Sequence, residues 1–264
     1  MYYFFWLLNA FFRVGLRSIL GRTRRDILLE RIRYKGLKQF TRPIKPVRFP
    51  VLNDLPWGKY LTSLDRTIGV IGAKQSTWHE LDVYAWVNLK KGDTAIDIGA
   101  HHGWYTLYFS RRVGKTGHVV AIEPCPQNLA FLNENIRLNC LSNVEIIPCA
   151  VSDKLGKAKL ILGNHSGAHT IMLSTDKDKE EIQVSTMTLG NILSKFNKVD
   201  LIKIDIEGAE FPVLNACKQL DKVERFIVEV HRNEYLKPLV SLFKKNQFEV
   251  EVIAKNRLVA THTH

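Results

Sequence analysis

The sequence predicts an α/β fold: a mostly parallel sheet with helices on both faces and an antiparallel hairpin at its C-terminal end. Three observations predict it. The chain has 264 residues, of which 45% are hydrophobic, enough for one full core with an appendage. From residue 94 onward, short β-rich runs alternate with helical patterns. The last two runs are separated only by Lys255-Asn256, a hairpin-sized turn.

The chain begins MYYFFWLLNAFF, apolar nearly all round, and then becomes basic. Residues 1–50 hold twelve Lys/Arg against Asp26 and Glu30, so most of the formal charge of +12 lies there and the rest of the chain is almost neutral. A secretory signal carries its positive charge before the apolar stretch and a small-residue cleavage site after it, and this segment has neither. Nor does it reach the ~20 apolar residues of a spanning helix without including Arg13 and Arg17. On a helical wheel Asn9, Arg13 and Arg17 share one side, while Phe4, Leu8, Phe11, Phe12 and Ile19 gather on the other. Two readings stand: an interfacial helix through which residues 1–33 touch the inner face of a membrane, or a helix that packs on the body or on a second copy.

Pro43, Pro46, Pro50 and Pro56 predict an extended connection, giving an arm over 1–50, a connection over 51–75 and a body over 76–264. Thr77-Trp-His-Glu80 has the form of a capping box and opens a predicted helix to about Leu89. Strands are predicted at 94–100, 118–123, 144–151, 199–205, 225–230, 248–254 and 257–262, with helices at 104–112, 127–140, 209–220 and 234–246. KAKLILG and IQVSTM, around the loop GNHSGAHTIML, read as an inserted hairpin near the ligand edge. Cys125, Cys140, Cys149 and Cys217 lack CxxC spacing, and are expected to be buried free thiols in a reducing compartment.

The chemistry-bearing residues sit at strand ends. Asp97-Ile-Gly-Ala-His-His-Gly103 turns from the first strand into a helix, where backbone N–H groups face a ligand. Gly99 permits the turn and Gly103 a close backbone approach; the spacing is not G-x-G-x-x-G. Glu123, at the end of the next strand, stands where a nucleotide-binding α/β sheet places the carboxylate for the ribose hydroxyls. Ser152 and Asp153 end Ala-Val-Ser-Asp, within reach of an adenine amino group, and Lys203–Glu210 places Asp205 and Glu207 at the carboxyl edge. Acids at 207 and 210 would also complement a helix dipole. His101 and His102 are neighbours on a tight turn with no third ligand at helical spacing, so they read as lining or packing, and no metal site is expected.

Asp97-x-Gly-Ala-x-x-Gly103, the Ala-Ile-Glu123-Pro acid, Ala-Val-Ser-Asp153, VSTMTL, and DLIKIDIEGAE followed by FIVEV together resemble the FkbM family of S-adenosylmethionine-dependent methyltransferases, over residues 76–255. The resemblance implies a Rossmann-like class I methyltransferase fold of seven strands with the last reversed. It implies S-adenosylmethionine as cofactor, with contacts from Asp97, Gly99, Glu123 and the Ser152–Asp153 corner. His101 stands where the family commonly has Asn, an imidazole replacing an amide near the methionine end; Gly103 and Asp205 complete the expected cofactor site. For the base that accepts a proton from the methyl acceptor, His231 is expected first, and Asp205 or Glu207 second. The expected acceptor is a hydroxyl on a saccharide, glycolipid or natural product, and the expected location cytoplasmic, peripheral on the inner membrane face. Two other classes compete: an RNA methyltransferase using the basic arm, and a non-catalytic membrane-associated binding module. The neutral body argues against the first, and the set Asp97, Glu123, Asp205 and Glu207 against the second.

Overall fold

The parallel strands form because their residues are buried on both faces. The computed structural model describes residues 50–55, 58–63, 86–163, 168–172 and 180–263, and the chain divides into two units, Met1–Thr77 and Trp78–His264.

In the first unit, Pro50–Leu55 (β1) and Gly58–Ser63 (β2) pair antiparallel, from Pro50 opposite Ser63 to Leu55 opposite Gly58. This corrects the reading of the proline stretch as free of regular elements. Pro50 opens its strand, so it takes no ladder N–H from the strand interior. The arm before residue 50 and the helix start at Thr77 lie outside the described residues; Val87–Lys90 are not helical, so that helix ends by Trp86.

The second unit is a seven-stranded sheet flanked by helices. In chain order come β3 (Thr94–Ile98), α1 (Trp104–Val113), β4 (His118–Ile122), α2 (Pro126–Leu138), β5 (Val144–Ile147), β6 (Ala150–Val151), β7 (Gly156–Ile161), β8 (Glu181–Met187) and α3 (Leu189–Leu193). They are followed by β9 (Leu201–Ile204), α4 (Glu210–Ala216), β10 (Arg225–Glu229), α5 (Asn233–Lys245), β11 (Phe248–Ala254) and β12 (Arg257–His262). The sheet order is β11-β12-β10-β9-β3-β4-β5. β12 is antiparallel to both neighbours, β10 and β11, and the other pairs are parallel. The fold is therefore the Rossmann-like arrangement with a reversed last strand. The reversal sits at the Lys255-Asn256 turn.

β3, β4 and β9 are buried almost throughout, as central parallel strands must be. The edge strand β11 alternates instead, and its exposed Glu249 and Glu251 discourage pairing with another chain. Beneath the hairpin, Phe226, Phe243 and Phe248 lie with ring centroids 5.1–5.6 Å apart, contacts worth about 0.5–1.5 kcal/mol per pair beyond their buried area.

The run 144–151 is not one strand. β5 ends at Ile147, and Ala150–Val151 leaves for a second sheet of order β6-β8-β7, in which β7 and β8 pair antiparallel. The inserted hairpin is thus present, with Ala-Val-Ser-Asp153 attached to its sheet rather than to the main one. α3 has no counterpart in the sequence reading; Thr188 and Asn191 cap it reciprocally. Cys125, Cys149 and Cys217 are buried, whereas Cys140 is exposed just beyond α2, contrary to the expectation for all four. No helix among the described residues is long and apolar enough to cross a membrane.

Candidate active site

Four neighbouring strands deliver the site, with His231 following β10, the neighbour of β9. β3 lies between β4 and β9, so the turns after Ile98, Ile122 and Ile204 emerge side by side at the carboxyl edge.

After β3, Gly99 takes φ +79° and passes so close to β9 that an added Cβ would lie 1.8 Å from the Asp205 carbonyl oxygen. Gly103, at φ +89°, opens α1, and its missing Cβ leaves room for Leu132 of α2. Its need is therefore helix packing. Between them His101 adopts the left-handed region (φ 53°) and its ring stacks on His102, centroids 3.7 Å apart. His102 is buried and also packs on Phe131 at 4.4 Å. The two rings fill the turn.

Glu123 is anchored by this loop. Its Oε2 accepts the His101 N–H (2.9 Å), and its Oε1 accepts the Cys125 N–H (2.9 Å) and the Asn128 amide (3.1 Å). Burial pushes its pKa up to about 7, with the donors from Cys125, Asn128 and His101 opposing that rise. Ala150 packs with Cys125, so the Ser152–Asp153 corner leaves the sheet beside the Glu123 turn. Ser152 donates its hydroxyl to Asp153 (3.1 Å).

Asp97 is wholly buried. Its Oδ2 accepts the Thr106 hydroxyl (2.7 Å), and Lys203 Nζ stands 3.8 Å from Oδ1 but only 3.0 Å from Asp205 Oδ2. With its cation biased toward Asp205, burial raises the Asp97 pKa against the pull of Lys203 and Thr106. Burial opposes the Lys203 charge, yet Asp205 and Asp97 outweigh it and hold that pKa above its ordinary value. Lys203 escaped the sequence reading. A lysine in the fully buried run Leu-Ile-Lys-Ile was the available signal, because a buried ammonium requires a partner.

Asp205, Glu207 and His231 converge. β9 ends at Ile204, so strand alternation does not align the two acids; Glu207 instead turns through the left-handed region at φ 52°. His231 Nε2 lies 3.7 Å from Asp205 Oδ1 and 3.5 Å from Glu207 Oε2, while Nδ1 meets Glu210 Oε1 at 2.9 Å. Burial alone would lower the His231 pKa, but the Glu210 bond and the charges of Asp205, Glu207 and Glu210 raise it to about 9. The imidazole therefore holds a proton at neutral pH. Glu210 is wholly buried at the start of α4 and also accepts the Gly208 N–H (3.0 Å), so its work is at His231 rather than only at the helix dipole. Glu207 precedes α4, so the dipole reading does not apply to it. The inserted sheet reaches this corner, where the Thr170 hydroxyl donates to the Glu207 carbonyl (2.8 Å).

Comparison with known proteins assigns the family. The 31-O-demethyl-FK506 methyltransferase FkbM of Streptomyces tacrolimicus is 28% identical over 214 residues, covering 67% of this chain and 81% of that one. Methyltransferase sdnD of Sordaria araneosa is 24% identical over 202 residues, covering 63% and 78%. The solved structure of methyltransferase FkbM from Methylobacillus flagellatus KT has a TM-score of 0.46 and 16% identity, over 67% of this chain and 45% of that one. The methyltransferase FkbM domain matches residues 97–250, more than half of the chain and every strand end described above, and the chain belongs to the FkbM family of methyltransferases.

Proposed function

We propose that this methyltransferase uses S-adenosylmethionine and methylates a hydroxyl of a small-molecule acceptor, a saccharide, glycolipid or natural product. The observation that carries the reading is the placement of Asp97, Glu123 and the Asp205–Glu207–His231 corner on four adjacent strand ends. The residues suit such a cofactor. Asp97 Oδ1 is buried without a hydrogen-bond partner among the described residues, and Glu123 Oε2 accepts a single bond, so both retain acceptor capacity for an amino group and ribose hydroxyls. The cofactor, when bound, supplies a methyl group on cationic sulfur.

The protein then positions the acceptor oxygen in line and receives its proton. Because His231 already carries a proton, the receiving group is a carboxylate of Asp205 or Glu207, which reverses the order expected from sequence. His231 holds both carboxylates in place. The relative from Streptomyces tacrolimicus, named for an acceptor oxygen on FK506, supports a hydroxyl of this kind. Incubating lipid, glycan and metabolite extracts with enzyme and cofactor should give a one-methyl mass increase in the acceptor. No such increase in any extract would defeat the hydroxyl-transfer reading.

Glu123 offers a direct test of the cofactor site. Hydrogen bonds to charged groups contribute about 1.5–3 kcal/mol, so Glu123→Ala should weaken S-adenosylmethionine binding at least about tenfold in calorimetry. Ribose hydroxyls donate more strongly to the carboxylate than to the carboxylic acid. With a pKa of about 7, the affinity of the unaltered protein should rise as pH increases through that value, and Glu123→Gln should show no such slope. An unchanged affinity in the alanine variant removes Glu123 from the site.

For the arm we propose contact with an anionic membrane surface through residues 1–33, supported by its apolar and basic composition. Full-length protein should co-sediment with anionic vesicles more than with neutral ones, and less in high salt. Protein that stays in the supernatant with anionic vesicles at low salt leaves the arm as a packing or oligomer element.

A further inference from the structure

We infer that Asp205, Glu207 and His231 form a divalent-cation site, with Glu210 as the residue that orients its histidine. One ligand atom from each lies within 4.8 Å of the other two, and His231 Nε2 faces Asp205 Oδ1 and Glu207 Oε2. The separations from His231 Nε2, 3.7 and 3.5 Å, are too long for hydrogen bonds. They are close to the spacing of about 3.4 Å that bonds of about 2.1 Å impose between ligands in a tetrahedron.

A second feature points the same way. His231 Nδ1 is bonded to Glu210, whose carboxylate is wholly buried and whose Oε2 has no hydrogen-bond partner among the described residues. A buried carboxylate behind Nδ1 keeps one proton on that nitrogen, so that an ion displaces the Nε2 proton of the imidazolium and takes its place, the arrangement that orients metal-binding histidines. The side chains of Asp205, Glu207 and His231 are 30%, 28% and 23% exposed, so the corner is sheltered yet open to a small ion. Lys203 offsets part of the negative charge through Asp205 Oδ2 and leaves Oδ1 facing the histidine. The donor set, one imidazole and two carboxylates without sulfur, suits Mn²⁺ or Zn²⁺ better than soft ions.

The inference rests on the proposed function only for the chemical role of the ion. Beside the corner, the cation lowers the pKa of the acceptor hydroxyl. Its proton passes to Glu207 Oε1, the oxygen other than the one facing His231, as the acceptor oxygen forms its bond to the methyl carbon. The carbon–sulfur bond breaks with its electron pair remaining on sulfur, and Glu207 later releases the proton to water.

The test is Mn²⁺ binding to full-length, tag-free protein, followed by electron paramagnetic resonance and calorimetry. One saturable Mn²⁺ per chain is expected, displaced by Zn²⁺. Asp205→Asn and His231→Ala should each raise the dissociation constant at least about tenfold, and Glu210→Gln about 10–100-fold. Thermal melting and circular dichroism of the same variants report that the fold survives. Absence of saturable binding overturns the site. So does Mn²⁺ bound equally well by Asp205→Asn and His231→Ala, which would assign the ion elsewhere, for example to His262 and His264. If Mn²⁺ binds as expected but no cofactor binds the unaltered protein, the methyl-transfer reading fails and the cation site stands.

Discussion

Glu207→Gln should lower turnover by about 10²–10⁴ while leaving cofactor affinity nearly unchanged, the loss typical of removing a positioned proton acceptor. The substitution keeps the shape of the side chain and of the backbone beneath it. Glutamine tolerates φ 52° about as well as glutamate, and the Thr170 bond reaches the residue 207 carbonyl, not its side chain. What disappears is the negative charge facing His231 Nε2 at 3.5 Å and the capacity to receive a proton. The measurement is single-turnover methyl transfer to the acceptor found by mass shift, alongside cofactor calorimetry. Near-normal turnover at saturating acceptor would move the role to Asp205.

The largest effect on stability should come from Gly99→Ala. An alanine Cβ would stand 1.8 Å from the Asp205 carbonyl oxygen and 2.9 Å from its carbon, both backbone atoms of the next strand end. Neither can step aside without separating β3 from β9, whose pairing includes Ile98 with Ile204. The positive φ adds about 1–2 kcal/mol for any residue with a Cβ. Together these place the cost above about 4 kcal/mol, among the severe single substitutions. At roughly 2–4 °C per kcal/mol for a domain of this size, the melting temperature should fall by about 10 °C or more, unless the protein fails to fold. Gly190→Ala is the control, since its added Cβ meets nothing nearer than Thr188 Oγ1, an ordinary contact at 3.8 Å. A Gly99→Ala protein that melts with the control would refute the close approach.

The sheet was legible in the sequence wherever burial on both faces forced continuous β-rich runs, and the hairpin after Phe248 was readable to the residue because its turn has only Lys255-Asn256 to work with. β1 and β2 were hidden by proline, which marks a break in most contexts but is harmless at the start of a strand. The split between β5 and β6 was hidden because a chain changing sheets remains β-rich on both sides of the change. For the site, strand-end acids were legible by position. Their mutual arrangement was not. The approach of Asp205 and Glu207 to His231 depends on a left-handed residue and on a histidine at the end of a different strand, and sequence spacing carries no record of either. Glu210 was visible only as a helix-start acid, although its partner lies 21 positions away in the chain.

The Thr170 hydroxyl ties the inserted sheet to the Glu207 carbonyl, and that bond constrains how the protein can be re-engineered. The insertion is the natural segment to exchange in a chimaera meant to accept a different substrate. Yet it also steadies the left-handed turn that aims Glu207, so under the proposed function recognition and reactivity would not be separable modules. A graft spanning β7 to β8 that lacks a hydroxyl at position 170 would change the acceptor preference and release the proton acceptor together, whereas one that keeps it changes the first alone.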